Sequence, residues 1–158
     1  MAFNAIMHVS FYTENLAEME RFYTEVLGGT VKIVTRAKLY KGLNRGVYSE
    51  LAETDPEKII IEYIELAPGQ FIELFPATDA SEPHDPLAGI AGYSHFALTV
   101  DDIVAAREQL ERRGLVFDTP ISKGPSETYQ MWAHDPDGNK FEIMQYTEAS
   151  FQLVGNVM

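Results

Sequence analysis

The amino-acid sequence predicts an α+β fold built from two tandem βαβββ modules. Two observations carry this. A strand-like run, a helix-periodic run and three further strand-like runs follow one another twice along the chain. Each half also places a histidine on its first strand and a glutamate on its last. The modules are read as residues 5–76 and 92–147 within one domain of residues 1–158. A linker over 77–91 joins them, and a C-terminal tail covers 148–158.

The first module opens with a strand from Ile6 to Tyr12. Asn15 then has the character of a helix N-cap, with Glu18 three residues on completing a box-like pattern. Leu16, Met19, Phe22, Tyr23, Val26 and Leu27 recur at helical spacing, and Gly28-Gly29 ends that helix. Strands are expected over Thr30–Tyr40, Lys58–Leu66 and Gln70–Phe75, the last two joined as a hairpin across Ala67-Pro68-Gly69.

The second module repeats the order. Tyr93–Val100 reads as a strand, and Asp101 or Asp102 caps a helix running to about Arg113, with Ile103, Ala106 and Leu110 on one face and Gly114 beyond. Strands follow near Val116–Ile121, Thr128–His134 and Lys140–Tyr146, with Asp135-Pro136-Asp137-Gly138-Asn139 turning the chain between the last two. His8 and Glu73 are 65 positions apart, whereas His95 and Glu142 are 47 apart. The excess of 18 fits an insertion near 40–57, rich in Gly, Asn and Pro, which reads as a loop and a possible flap over a site.

Composition bounds the function. At 46% hydrophobic and 23% charged residues the chain has the make-up of a soluble globular protein. Its net charge of -12 lacks the basic footprint of a nucleic-acid binder and disfavours anionic membrane surfaces. With no cysteine, disulfides, thiol catalysis and thiolate metal ligands are excluded together. No basic flank and long apolar core suggest a signal peptide, and no run is long enough to span a membrane, so a cytoplasmic protein is expected.

The two histidine–glutamate pairs carry the chemistry. Strand alternation puts Glu73 on a face with Phe71 and Phe75, with no lysine or arginine on that strand. A buried carboxylate needs a partner, so something positive is expected to face it. His8 shares a face with Ile6, Ser10 and Tyr12, and His95 with Tyr93, Ala97 and Thr99. Those mixed faces suit a cavity lining, and the opposite apolar faces suit packing under the helices. A strand histidine is more commonly a hydrogen-bonded core residue than a ligand. Against that stands the coincidence of two His and two Glu at matching places, a donor set suited to Mn, Fe, Co, Ni or Zn. The residues alone leave both readings standing.

The repeat together with "RFYTEVLGG", "GYSHFALTVDDI" and "HDPDGNKFEIMQY" resembles the vicinal oxygen chelate superfamily over roughly Ala5 to Thr147. That group includes glyoxalase I, bleomycin-resistance proteins, fosfomycin-resistance enzymes, methylmalonyl-CoA epimerase and extradiol dioxygenases. The resemblance implies mixed sheets curled round a central cavity and a homodimer. It also implies a divalent metal (Ni, Zn, Co, Mn or Fe) held by His8, Glu73, His95 and Glu142. In the glyoxalase I branch such a site isomerises a carbonyl or hemithioacetal-type substrate through an enediolate. Glu142 would then be the base, Glu73 its partner across the substrate, and Tyr48, Tyr129 and Trp132 pocket-lining residues. Where that branch carries an arginine and an asparagine for glutathione, this chain has Ser10 to Thr13 and Pro76 to Thr78, which counts against glutathione. An epimerase, a dioxygenase and a metal-free drug-sequestering module are the alternatives within the superfamily.

Overall fold

Alternation along the strands decides which sheet face each half of the chain buries. The computed structural model describes residues 6–77 and 93–155, and the chain divides into two compact units, Met1–Ser81 and Glu82–Met158. Apart from Ala77, the expected linker lies outside the described residues.

The first unit contains β1 (His8–Thr13), α1 (Leu16–Arg21), β2 (Thr30–Arg36), α2 (Val47–Thr54), β3 (Ile59–Ala67) and β4 (Gln70–Pro76). Its sheet runs β1-β4-β3-β2, with β1 parallel to β4 and the other pairs antiparallel. Ile60, Ile64, Ile72 and Leu74 point to one face and are buried with Met19 and Tyr23 of the helical segment. The Asn15–Glu18 box forms as expected: the Glu18 N–H donates to Asn15 Oδ1 at 3.3 Å, and the Asn15 amide donates to Glu18 Oε2 at 2.7 Å. At the far end, Gly28 takes a φ of 82°, and a Cβ on Gly29 would stand 2.8 Å from Ile64 and Leu66 side-chain atoms.

Three local departures from the expected elements occur in this unit. The helix does not continue as α to Gly28; Phe22–Val26 is a π-helical turn, with the Leu27 N–H reaching the Phe22 carbonyl at 3.1 Å. There the Thr24 hydroxyl donates to the Glu20 carbonyl at 2.7 Å, which offers that acceptor a side-chain partner. The strand expected to Tyr40 ends at Arg36, and Ala37–Tyr40 winds into a 3₁₀ turn. Finally, the segment read as loop contains α2. Its eight residues hold Glu, Leu and Ala and no Gly or Pro, so they keep helix propensity between breaker-rich flanks.

The second unit contains β5 (Phe96–Thr99), α3 (Ile103–Arg112), β6 (Ser122–Lys123), β7 (Tyr129–His134), β8 (Lys140–Gln145) and α4 (Phe151–Val154). Its sheet order, β5-β8-β7-β6, repeats the first, again with the outer pair β5/β8 parallel. Asp102 is the cap of α3, accepting from the Val104 and Ala105 N–H groups at 3.0 Å. The strand expected over Val116–Ile121 is reduced to a bridge between Phe117 and Ala133 ahead of the two-residue β6. Pro120 has no N–H to pair, and the Thr119 hydroxyl takes the Trp132 N–H at 3.1 Å. Part of the tail packs within this unit: buried Ser150 lies 3.1 Å from the Thr128 hydroxyl, and the Phe151 N–H donates to the Ser126 carbonyl at 2.9 Å.

Candidate functional site

In the first unit, parallel pairing of β1 with β4 sets Ser10 beside Glu73, and the β3–β4 hairpin sets Tyr63 on its other side. His8, Ser10, Tyr63 and Glu73 therefore share one face. His8 Nε2 stands 3.3 Å from Glu73 Oε2, and the Ser10 hydroxyl donates to the same oxygen. Tyr63 is directed at this carboxylate as well. Its hydrogen bond to Glu73, followed by burial, pushes the Tyr63 pKa up to about 12. The His8 ring also meets Tyr63 edge-on at 5.8 Å. Where a positive partner is expected, Glu73 meets an imidazole and two hydroxyls, with no lysine or arginine paired to it among the described residues. Glu73 is buried, while His8 is exposed.

The second unit builds the equivalent place from different neighbours. Ala97 of β5 and Trp132 of β7 pair with Glu142, at the positions that Ser10 and Tyr63 hold beside Glu73. His95 lies one residue before β5, not within the strand, and packs edge-on against Trp132 at 4.7 Å. Lys140 Nζ sits 4.5 Å from the centre of the same indole. Among the described residues, no hydrogen bond or ion pair reaches the Glu142 carboxylate. Burial raises its pKa, with the nearby charges of His95 and Lys140 opposing that rise.

Each unit thus brings together one histidine–glutamate pair. Among the described residues, no group of three or more His, Cys, Asp or Glu side chains is clustered for metal binding. One imidazole and one carboxylate form an incomplete set within each unit, but the donor types match a first-row divalent ion. Of the three proposed lining residues, Trp132 shares the Glu142 face, whereas Tyr129 alternates onto the face of buried Met131 and Ala133. Tyr48 lines a pocket of about 530 Å³ with Tyr40, Leu43, Arg45, Ile61 and Phe75. Burial raises the Tyr48 pKa, and the neighbouring Tyr12, Tyr40 and Glu73 add to the effect.

The sequence reading missed Tyr63, Arg45 and Glu62. The register of the predicted Ala67-Pro68-Gly69 hairpin could have placed Tyr63 opposite Glu73. Arg45 gave no signal, because it lies in a segment read as loop. Glu62 faces the opposite way from Glu73, among the apolar residues under the helix. It is 1% exposed, and its Oε1 has no hydrogen-bond partner. Burial, then the charge of Glu20, lifts its pKa to about 7.

A family model described as the Glyoxalase/Bleomycin resistance protein/Dioxygenase superfamily matches residues 5–143. A curated lactoylglutathione lyase from Pseudomonas aeruginosa is 34% identical over 68 residues, 43% of this chain; the match spans only 38% of that enzyme's length. Among solved structures, a lactoylglutathione lyase from Agrobacterium tumefaciens superposes with a TM-score of 0.59 at 20% identity, covering 92% of this chain and 96% of its own. A glyoxalase family protein from Enterococcus faecalis gives 0.68 at 21% identity, with 91% and 99% covered. These two structural likenesses bear on the fold.

Proposed function

The chain belongs to the Glyoxalase/Bleomycin resistance protein/Dioxygenase superfamily, and on that footing we propose that it is a metal-dependent isomerase or lyase of the glyoxalase I type. Its substrate would be a small carbonyl or hemithioacetal-type compound. The observation that supports this reading is the recurrence of a histidine–glutamate pair at matching positions of two equivalent sheets. His8, Glu73, His95 and Glu142 are the residues that would hold the ion. A divalent metal bound there supplies Lewis-acid stabilisation of negative charge on a carbonyl oxygen.

The two carboxylates are suited to different work. Glu73 is held by His8, Ser10 and Tyr63, which keeps it in one place. Among the described residues Glu142 has no such donors, and burial raises its affinity for a proton. It is therefore the group that takes the proton from a carbon beside the carbonyl. On a hydroxyl-bearing carbon, the electron pair of the broken C–H bond forms the enediolate C=C bond and the carbonyl pair moves onto its oxygen. The protonated carboxyl would then deliver the proton to the former carbonyl carbon, while the hydroxyl of the first carbon becomes the new carbonyl, its proton passing to the other oxygen. The same reading takes the protein to be a cytoplasmic homodimer.

Elemental mass spectrometry of the untagged protein tests the proposal, beside a His95→Ala control prepared identically. The expected result is about one divalent transition ion per chain, lost in the control. No ion after reconstitution with Ni, Zn, Co, Mn and Fe in turn would sink the chelate. A loaded protein should then be assayed on hemithioacetals and 2-oxo acids by loss of the substrate C–H proton in deuterated water.

A further inference from the structure

The pocket beside Glu73 has a definite chemical character. Tyr40 and Tyr48 stand 5.5 Å apart at 54°, Phe75 and Ile61 form the sheet side, and Leu43 and Arg45 come from the loop ahead of α2. Its volume of about 530 Å³ falls in the range that encloses a small molecule. Everything lining it is aromatic or aliphatic except the tyrosine hydroxyls and one guanidinium.

That guanidinium is conspicuous in its surroundings. Three neighbouring cations are engaged: Lys38 with Glu57 at 2.7 Å, Arg36 with Glu57 at 3.8 Å and Lys41 with Glu53 at 3.3 Å. Arg45 has no carboxylate partner among the described residues, in a chain with twice as many acidic as basic residues. Its backbone is pinned, since the Arg45 N–H donates to Ser49 Oγ at 2.9 Å and that hydroxyl donates to the Leu43 carbonyl at 2.6 Å. The loop therefore presents the side chain from a fixed position.

We propose that this pocket binds a small carboxylate carrying an aromatic body, its anionic end on Arg45 and its ring against Tyr40, Tyr48 and Phe75. A guanidinium recognises a carboxylate through two parallel N–H donors. A neutral aromatic would leave that charge unanswered, and a cationic one would be repelled by it. Among the described residues the lining holds no second cation of the sort that a phosphate recruits. Phe75 and Ile61 are each two residues from Glu73 and Tyr63 along β4 and β3. Such neighbours on one face are about 7 Å apart, so a bound molecule can extend toward the His8–Glu73 pair. That orientation, with a 2-oxo group presented to the pair, rests on the proposed function; the binding itself does not.

Calorimetry on metal-stripped protein separates the two. Phenylglyoxylate is compared with its neutral methyl ester and with pyruvate, on wild type and on Arg45→Gln, whose fold is checked by circular dichroism. The acid should bind at least about tenfold tighter than either comparison compound, and potassium chloride should weaken the acid but not its ester. In Arg45→Gln the acid should fall to the affinity of the ester. Equal binding of acid and ester, no binding of the acid, or an Arg45→Gln variant that binds the acid as wild type does would each overturn the proposal. None of these results depends on metal. A failed metal analysis with tight acid binding would remove the isomerase reading and leave the carboxylate pocket intact.

Discussion

Glu73 and Glu142 occupy the same position of the same strand in two sheets of the same order, yet their surroundings differ at two places. Ser10 and Tyr63 flank Glu73, whereas Ala97 and Trp132 flank Glu142. Two hydroxyls are replaced by a methyl group and an indole. One carboxylate is consequently fixed by donors, and the other is buried without them, which raises its pKa although His95 and Lys140 oppose the rise. A repeated architecture has kept the carboxylate and varied its neighbours, and under the proposed function Glu73 would serve as ligand and Glu142 as proton acceptor.

Breaking the acceptor should have the largest effect. With a turnover assay and saturating metal, Glu142→Gln should lower kcat by about 10²- to 10⁴-fold, the usual contribution of a positioned general base. Glu73→Gln should instead lose metal at limiting concentrations and recover part of its kcat when metal is raised. If both variants recover alike, the division of labour between the two carboxylates is wrong.

The next comparison lies on the opposite faces of the sheets. Glu62 pairs with Leu74 as Met131 pairs with Ile143, so methionine stands in the second unit where the first buries a carboxyl. Glu62 has a folded pKa of about 7 against an ordinary 4.5. Below pH 4.5 it is protonated in both the folded and unfolded chain, and it carries no penalty there. As pH rises toward 7 the unfolded chain releases the proton and the folded chain keeps it, so stability falls. The loss reaches on the order of 3 kcal/mol above pH 7. Glu62→Met should remove that slope, raising the melting temperature by about 6 to 12 °C at pH 8 and by much less at pH 4.5. Parallel wild-type and variant melting curves at both pH values would show that Glu62 is not the penalised group.

Much of this arrangement was legible in the sequence because it follows from periodicity. The two βαβββ orders, the Asn15 and Asp102 caps and the Asp135–Asn139 turn depend on neighbours in the chain, and local patterning reports such neighbours. Pairing between β1 and β4 depends on contacts more than sixty residues apart, so the Ser10–Glu73 bond could not be read. Helix α2 was hidden by the glycines and asparagine before it and by Asp55-Pro56 after it. The second unit's irregular strand escaped because Val116, Phe117 and Ile121 carry strand propensity, while Thr119 and Pro120 break the ladder through a side-chain bond and a missing N–H. Glu62 was the hardest, since alternation alone gives no reason to expect an unpaired carboxyl on the core face.

Exchanging the two small neighbours tests the opening comparison with the least disturbance. Ser10→Ala gives Glu73 the methyl neighbour of Glu142, and Ala97→Ser offers Glu142 the hydroxyl neighbour of Glu73. Outer donors to a ligating carboxylate hold its orientation, and losing one commonly weakens metal binding by about tenfold or more. Ser10→Ala should therefore lower metal affinity by about tenfold, with kcat little changed once metal is saturating. A hydroxyl donating to Glu142 makes that carboxylate a weaker proton acceptor. Ala97→Ser should accordingly lower kcat by about threefold, with metal affinity unchanged or slightly improved. The opposite assignment, a kcat effect from position 10 and a metal effect from position 97, would reverse the roles of the two units. It would make Glu73, for all its donors, the group that moves the proton.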